Sequence, residues 1–398
     1  MLTRPLSGRL CIGLLLLTAA AAVRAQTTED LFNEAVLQRL EITMHSRDWD
    51  TLRANFTDND YYPADVAWNG MRVRNVGIRS RGLGSRNPVK PGLELNFARY
   101  SSRASFLGLR ALVLDNLTTD PSMIRERAAM SFLRRLGVPA PRVVHAEVSI
   151  NGQYAGVYGV VEPIDSVFLQ RYLGESAGVL YEYHWLTPYF ATFPGEDLDT
   201  YVPMFEPRTQ ETLSTFDLYD PIRELFRTIN EAPDSAFRES VGARLDFEST
   251  LRLIAGETVL AELDGILGYD GMNNFYLYRP PASAPARLFP WDADHTFEAP
   301  DYPLLAGARE NVLMRRMLED PVLRARYFDL VLEAVNAASS DGWLEHELTR
   351  DYLQIREAAH ADPLKPYSNE DFEDAFAELM VFARSRPDFV KAEVEQNR

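Results

Sequence analysis

The chain is 398 residues long, 46% hydrophobic, and carries a formal charge of −17 from 41 basic and 58 acidic side chains. A surface this acidic repels nucleic acid and anionic membranes, which excludes functions built on polyanion binding. Roughly 370 residues beyond the leader described next can bury a large core divided between two or three lobes.

Arg4 and Arg9 precede the apolar run Leu14 to Leu17 and an alanine tract, and Val23-Arg24-Ala25 offers a small-residue cleavage site. Residues 1–25 therefore read as a secretory signal peptide, and the expected location is secreted or periplasmic. The apolar stretch is shorter than the roughly 20 residues a spanning helix needs, so no stable membrane anchor is expected. Cleavage after Ala25 removes three arginines and no acid, which moves the charge from −17 to −20. The only cysteine, Cys11, lies in this leader ahead of its apolar core, so the mature chain has no thiol, disulfide or cysteine ligand.

Between Met71 and Arg110 nine basic residues accompany one acid, Glu94. A basic island in an acidic chain suggests an anion site, and Gly77, Gly82 and Gly84 around Arg79, Arg81 and Arg86 would let backbone N–H groups approach a phosphate. A solvated hairpin is the other reading of the same residues. Next, Asp120 as N-cap, Pro121 at the first helical position, apolar Ile124, Ala128, Phe132 and Leu136, and Gly137 as the stop predict a helix from Asp120 to Gly137. Val144, Ala146, Val148 and Ile150 alternate as a strand, Asn151-Gly152 is a hairpin turn, and the return strand ends at Glu162-Pro163.

From about Ser166 to Asp220, aromatics, prolines and acids follow no period, which predicts irregular structure with no assigned chemistry. Helical spacing returns from about Thr250 through Ile254, Leu260, Leu263 and Leu267, and again from about Asn311 to the C-terminus. The six histidines form no spaced ligand pair such as HExxH, which argues against zinc. Neither a nucleophile elbow nor a P-loop occurs.

Asp270-Gly271-Met272-Asn273-Asn274, the strand-like Phe275 to Tyr278, and Trp291-Asp292-Ala293-Asp294 are the segments richest in chemistry. A hairpin between them would bring a possible base, an amide oxygen and two carboxylates together, the donor types of a Mg²⁺-dependent phosphoryl-transfer site. Taken singly, an Asp-Gly pair is more often a turn and Trp-Asp-x-Asp a capped loop.

In order along the chain, Asp115-Asn116-Leu117, Asp120 to Arg125, Leu136 to Arg142, Asn151-Gly152 with Glu162-Pro163-Ile164-Asp165, Asp270-Gly271 with Asn274 to Tyr278, and Pro290 to Asp294 resemble the successive motifs of the CotH kinase family. The resemblance implies an α+β, atypical protein-kinase-like fold of two lobes. A β-rich N-lobe with one αC-like helix (26–165) would precede a mainly helical C-lobe (166–398). It implies ATP with Mg²⁺, or Mn²⁺, as cofactors, and phosphorylation of Ser or Thr on surface or extracellular proteins. On its pattern Asp270 is the catalytic aspartate, and Asn274, Asp292 and Asp294 are metal ligands. Arg81, Lys90, Arg125 and Glu162 are nucleotide contacts, Glu162 lying in the hinge.

Three departures stand out. Only Lys90 remains where a basic pair is common, the loop before Asn274 is one residue short so that Asn273 competes for the metal, and His295 to Glu298 replace a frequent glycine. A non-catalytic scaffold and a nucleotidyl transferase on the same fold are the alternative functions.

Overall fold

The computed structural model describes residues 26–281 and 284–398. The proposed signal peptide lies outside the described residues.

Seven strands close into a barrel: β1 (Gln38–Met44), β2 (Tyr62–Trp68), β3 (Met71–Arg81), β4 (Gly92–Asn96), β5 (Ala111–Asp115), β6 (Val143–Ile150) and β7 (Gln153–Val161). Their order is β1-β2-β3-β4-β5-β7-β6. Neighbours are antiparallel except at the closure, where β1 runs parallel to β6 with Leu40 opposite Val148. Alternation sets the faces: in β1, Gln38, Leu40, Ile42 and Met44 point inward while Arg39, Glu41 and Thr43 face water. Trp68, Ile78, Leu95, Leu114, Val144 and Val160 help fill the interior, and buried Gln38 satisfies Trp68 Nε1 at 2.8 Å. At the β6–β7 turn Asn151 (φ 52°) and Gly152 (φ 79°) both adopt the left-handed conformation that the Asn-Gly signal predicts.

Three helices belong to this half of the chain: α1 (Thr28–Leu31), α2 (Ser46–Ala54) and α3 (Arg125–Arg135). The predicted Asp120 to Gly137 helix is shorter than expected. Asp120 caps a tight turn instead, accepting from Ser122 N at 2.8 Å and from Arg125 N, the first helical residue, at 2.9 Å. Gly137 (φ 78°) stops α3 as foreseen, with Val138 N reaching back to Leu133 O.

Beyond Glu162 come α4 (Ser166–Leu173), β8 (Val179–Tyr183), β9 (Phe205–Pro207), α5 (Thr215–Glu231), α6 (Asp234–Gly242) and α7 (Phe247–Leu260). A hairpin, β10 (Phe275–Arg279) and β11 (Arg287–Pro290), joins β8 and β9 in a four-stranded sheet ordered β11-β10-β8-β9. The stretch read as irregular thus contributes two strands, the whole of α4 and the first turns of α5 to a mixed α+β architecture, because its aromatics pack as a cluster: Tyr183 stacks on Phe275 at 4.6 Å. The helix through Leu267 is also corrected. It ends at Leu260, where Ala261 turns left-handed (φ 51°), and Leu263 and Leu267 lie in the following loop. The chain closes with α8 (Val312–Glu319), α9 (Pro321–Ser339), α10 (Trp343–His360) and α11 (Asn369–Asn397), as the helical spacing predicted. Two hydrophobic cores result, one inside the barrel and one running from α3 through the sheet to the C-terminal helices.

Candidate active site

One end of the barrel meets the β10–β11 hairpin. Arg81 ends β3 and Asp115 ends β5. Glu126 lies in the first turn of α3. From the other side, Phe275 pairs with Pro290, and Trp291 N donates to Asn274 O at 2.9 Å. The two segments singled out in the sequence therefore lie side by side. Asn274 (φ 53°) and Asp292 (φ 50°) both hold left-handed backbone, a conformation that Asn and Asp tolerate better than other non-glycine residues.

Asn274 Nδ2 donates to Asp264 Oδ2 at 2.9 Å and to the Asp264 carbonyl at 3.2 Å, while Asn273 Nδ2 donates to the same Oδ2 at 3.0 Å. With both amide hydrogens spent on Asp264, the Asn274 side-chain oxygen remains available as a ligand. Asp270 stands differently. Its carbonyl accepts from Trp185 Nε1 at 3.1 Å, and Gly271 (φ 95°) presses against Tyr189, where a Cβ would come within 2.4 Å of the Tyr189 nitrogen. Asp270-Gly271 thus docks the loop onto the segment at Tyr189.

The site is electrostatically unbalanced. Burial, then Asp294 and Asp115, push the Asp292 carboxyl well above the carboxylate range, with Arg81 pulling back. Burial raises Asp294 to about 7 against a hydrogen bond from Thr119 Oγ1, with Asp115, Asp120 and Asp264 adding to the rise. Glu126 is raised by burial and by Asp115, Asp292 and Asp294, and its Oε2 has no hydrogen-bond partner among the described residues. Burial also raises Asp264, opposed by the Asn273 and Asn274 bonds and by His295. Acids crowded together against one arginine, with an orphaned buried oxygen, suit a divalent cation bound by oxygen.

That arginine is Arg81, whose guanidinium lies 5.0 Å from the centre of the Trp291 ring. Burial alone would lower its pKa, but Glu182, Tyr276, Asp292 and Glu94 hold it above the ordinary value. The other expected nucleotide contacts are committed elsewhere. Lys90 Nζ meets Asp362 Oδ2 at 2.7 Å, with both side chains at 0% exposure, so its charge is committed to that pair, and of the acids at the site it acts on Asp115. Glu162, 1% exposed, is clamped by Arg142 at 2.9 Å and by Arg171, which leaves its side chain no free edge. Arg125 bridges α3 to the segment after Asp294, donating to Thr296 O at 2.8 Å and to Glu298 at 2.6 Å.

Asp264, Glu126 and Thr119 were not singled out from sequence, and Asp115 was named only within a family-like motif, with no role assigned. Asp264 carries a local signal of its own, a second Asp-Gly pair six residues before the first. Among the described residues, one trio of acid and histidine donors comes within 4.8 Å: Glu182 on β8, His184 just beyond it and Glu206 on β9. Arg208 already engages both glutamates, at 3.4 Å and 3.0 Å.

The CotH kinase protein family model matches residues 78–390. Inner spore coat protein H of Bacillus subtilis is 25% identical over 379 residues, covering 90% of this chain and 98% of that protein. Spore coat protein homolog 1 of Rhizopus delemar is 22% identical over 262 residues, 63% of this chain and 41% of that protein. The crystal structure of the Helicobacter pylori proinflammatory kinase CtkA aligns over 77% of this chain and 94% of its own, at 12% identity and a TM-score of 0.30. With the family model spanning most of its length, the chain belongs to the CotH kinase family.

Proposed function

We propose that the protein is an exported, kinase-like phosphotransferase that moves the γ-phosphoryl group of ATP to a Ser or Thr hydroxyl of a protein outside the cytoplasm. Its two lobes are the barrel half and the helical half, with the cleft where Arg81 faces Asp292. The observation that carries the reading is the Asp264–Asn274 pair beside Asp292 and Asp294.

In this scheme Asp292, Asp294 and the Asn274 oxygen hold Mg²⁺, or Mn²⁺, whose charge when bound offsets that of the phosphates. Arg81 contacts phosphate oxygens across the cleft. Trp291 backs its guanidinium and keeps it out of bulk water. Asp264 accepts the proton of the attacking hydroxyl: its raised pKa improves it as an acceptor, and two amide bonds fix its orientation. Asp270, the catalytic candidate from the sequence, takes the part of a loop anchor. Asn273 supports Asp264 and leaves the metal to Asn274.

Export rests on residues 1–25, and a mature N-terminus at Gln26 on secreted or periplasmic material tests it. Among the described residues no helix is long and apolar enough to cross a membrane. The chemistry is tested with ATP labelled on the α or the γ phosphate. Transfer of γ label to protein supports the kinase, transfer of α label supports a nucleotidyl transferase, and transfer of neither supports a scaffold.

A further inference from the structure

The connection between β5 and α3 is anchored on both sides of Thr119. Before it, the buried Asn116 side chain accepts from Thr118 N at 3.3 Å and from Thr118 Oγ1 at 3.0 Å, while its Nδ2 donates to Ser85 O and Lys90 O at 3.0 and 2.9 Å. Tyr367, from the connection between α10 and α11, donates its hydroxyl to Thr118 O. After it, the buried Asp120 accepts from Ser122 N, Ser122 Oγ and Arg125 N. Thr119 sits between these two fixed residues, and its Oγ1 donates to Asp294 Oδ2.

That bond runs from the barrel half to the segment after β11, and among the described residues it is the one hydrogen bond the Asp294 side chain receives. His295 Nε2 stands 3.9 Å from Asp294 Oδ1, beyond hydrogen-bond distance, so Oδ1 is the oxygen left to a cation. The Asp294 side chain is 18% exposed, and of the neighbouring charges it acts most strongly on Asp292. Without a tether, that repulsion would favour rotamers that turn the carboxylate outward to water. Thr119 holds it inward, and the anchors at Thr118 and Asp120 keep the threonine backbone from yielding.

We propose that Thr119 is a positioning residue whose hydroxyl fixes the Asp294 carboxylate for the metal ion, so that the barrel half helps to build a metal position whose ligands all lie in the other half. The inference rests on the phosphotransfer reading in one respect, that Asp294 is a ligand. A partner that orients a ligand typically carries 10- to 100-fold in metal affinity, and here it is the ligand's one such partner among the described residues. Metal affinity then depends on how the two halves sit, because opening the cleft breaks the Thr119 bond without removing a ligand.

The test titrates Mn²⁺ into the mature chain with a non-hydrolysable ATP analogue and reads free Mn²⁺ by electron paramagnetic resonance, so turnover plays no part. Thr119→Val, which puts a methyl group in place of the hydroxyl, should weaken Mn²⁺ binding by about 10- to 100-fold. Thr119→Ser, which keeps the hydroxyl, should recover most of the affinity. Tm without metal should change little in either variant, because Thr119 is exposed. Asp292→Ala, which removes a ligand, marks the site by abolishing the binding. If Thr119→Val binds Mn²⁺ as tightly as the unmodified protein while Asp292→Ala does not, the role of Thr119 is overturned and the metal reading stands. A fall in Tm with unchanged Mn²⁺ affinity makes the bond a structural tether and overturns the role likewise, as does a loss of affinity that Thr119→Ser shares in full. Absence of Mn²⁺ binding by the unmodified protein removes the metal reading itself, and this inference with it.

Discussion

The side-chain amide of Asn274 grips Asp264 twice, donating to its carboxylate at 2.9 Å and to its carbonyl at 3.2 Å. One contact fixes the rotamer of the aspartate and the other fixes the backbone that carries it. The Asn274 oxygen is thereby aimed away from Asp264, on a residue whose carbonyl is tied to Trp291 N, one position before Asp292. On the proposed reading, a proton acceptor and a metal ligand are thus set by one pair of residues, and a change in either should disturb both.

Asp292→Ala should abolish the Mg²⁺-dependent part of nucleotide binding. The remaining acids would face the phosphates without a complete ligand set, and a thermal shift of several degrees with Mg²⁺ and ATP should fall to the small value seen in EDTA. A shift equal to that of the unmodified protein would show that Asp292 is no ligand.

Arg81→Met should weaken nucleotide affinity by about 10- to 100-fold, the worth of a charge-assisted contact of about 1.5–3 kcal/mol. Calorimetric titration measures it, and unchanged affinity would remove Arg81 from the phosphate side of the cleft.

Lys90→Met should do the reverse. It strands Asp362 as a buried charge and should cost about 3–5 kcal/mol of stability, read by urea unfolding, while leaving nucleotide affinity nearly unchanged. A large loss of affinity in a stable variant would return Lys90 to the site.

His145 should contribute to acid sensitivity. It is buried, and burial followed by the nearby Arg127 charge holds its pKa well below the ordinary value, so the folded protein keeps it neutral. Its ring nitrogens meet Arg127 Nη1 at 2.9 Å and Met123 O at 2.8 Å. Because the folded pKa is depressed, the stabilisation is complete above the unfolded value of about 6.5 and is lost as pH falls below it, by about 1.4 kcal/mol per pH unit until the folded pKa is reached. His145→Gln, which can still accept from Arg127 and donate to Met123 O, should flatten the stability–pH curve between pH 6.5 and 5 relative to the unmodified protein.

Features set by neighbouring residues were legible in the sequence. Asn151-Gly152 demanded a tight hairpin, and the apolar run after Asn274 followed by Trp291 to Asp294 implied the hairpin that joins the two segments. Features set by distant partners were not. Lys90 read as a free cation because Asp362, its counter-ion, lies 272 residues away. The Glu162 side chain read as a nucleotide contact because nothing nearby announces its pairing with Arg142 and Arg171. Asp264 and Asp270 each precede a glycine, and only tertiary contacts separate them: Asn273 and Asn274 take the first, Trp185 and Tyr189 the second. Likewise Leu263 and Leu267 keep helical spacing although α7 has ended at Leu260, so the period marks burial here and not helix.

The most direct test compares γ-phosphate transfer by Asp264→Asn and Asp270→Asn at saturating Mg²⁺ and ATP. Both exchanges are nearly isosteric, and nucleotide affinity, measured alongside, should hold in each. Asp264→Asn should lower the transfer rate by about 10²- to 10⁴-fold, the usual contribution of a positioned base, while Asp270→Asn retains most of it. Transfer at the unmodified rate by the Asp264 variant, with loss confined to Asp270→Asn, would contradict the assignment and move the catalytic role to Asp270.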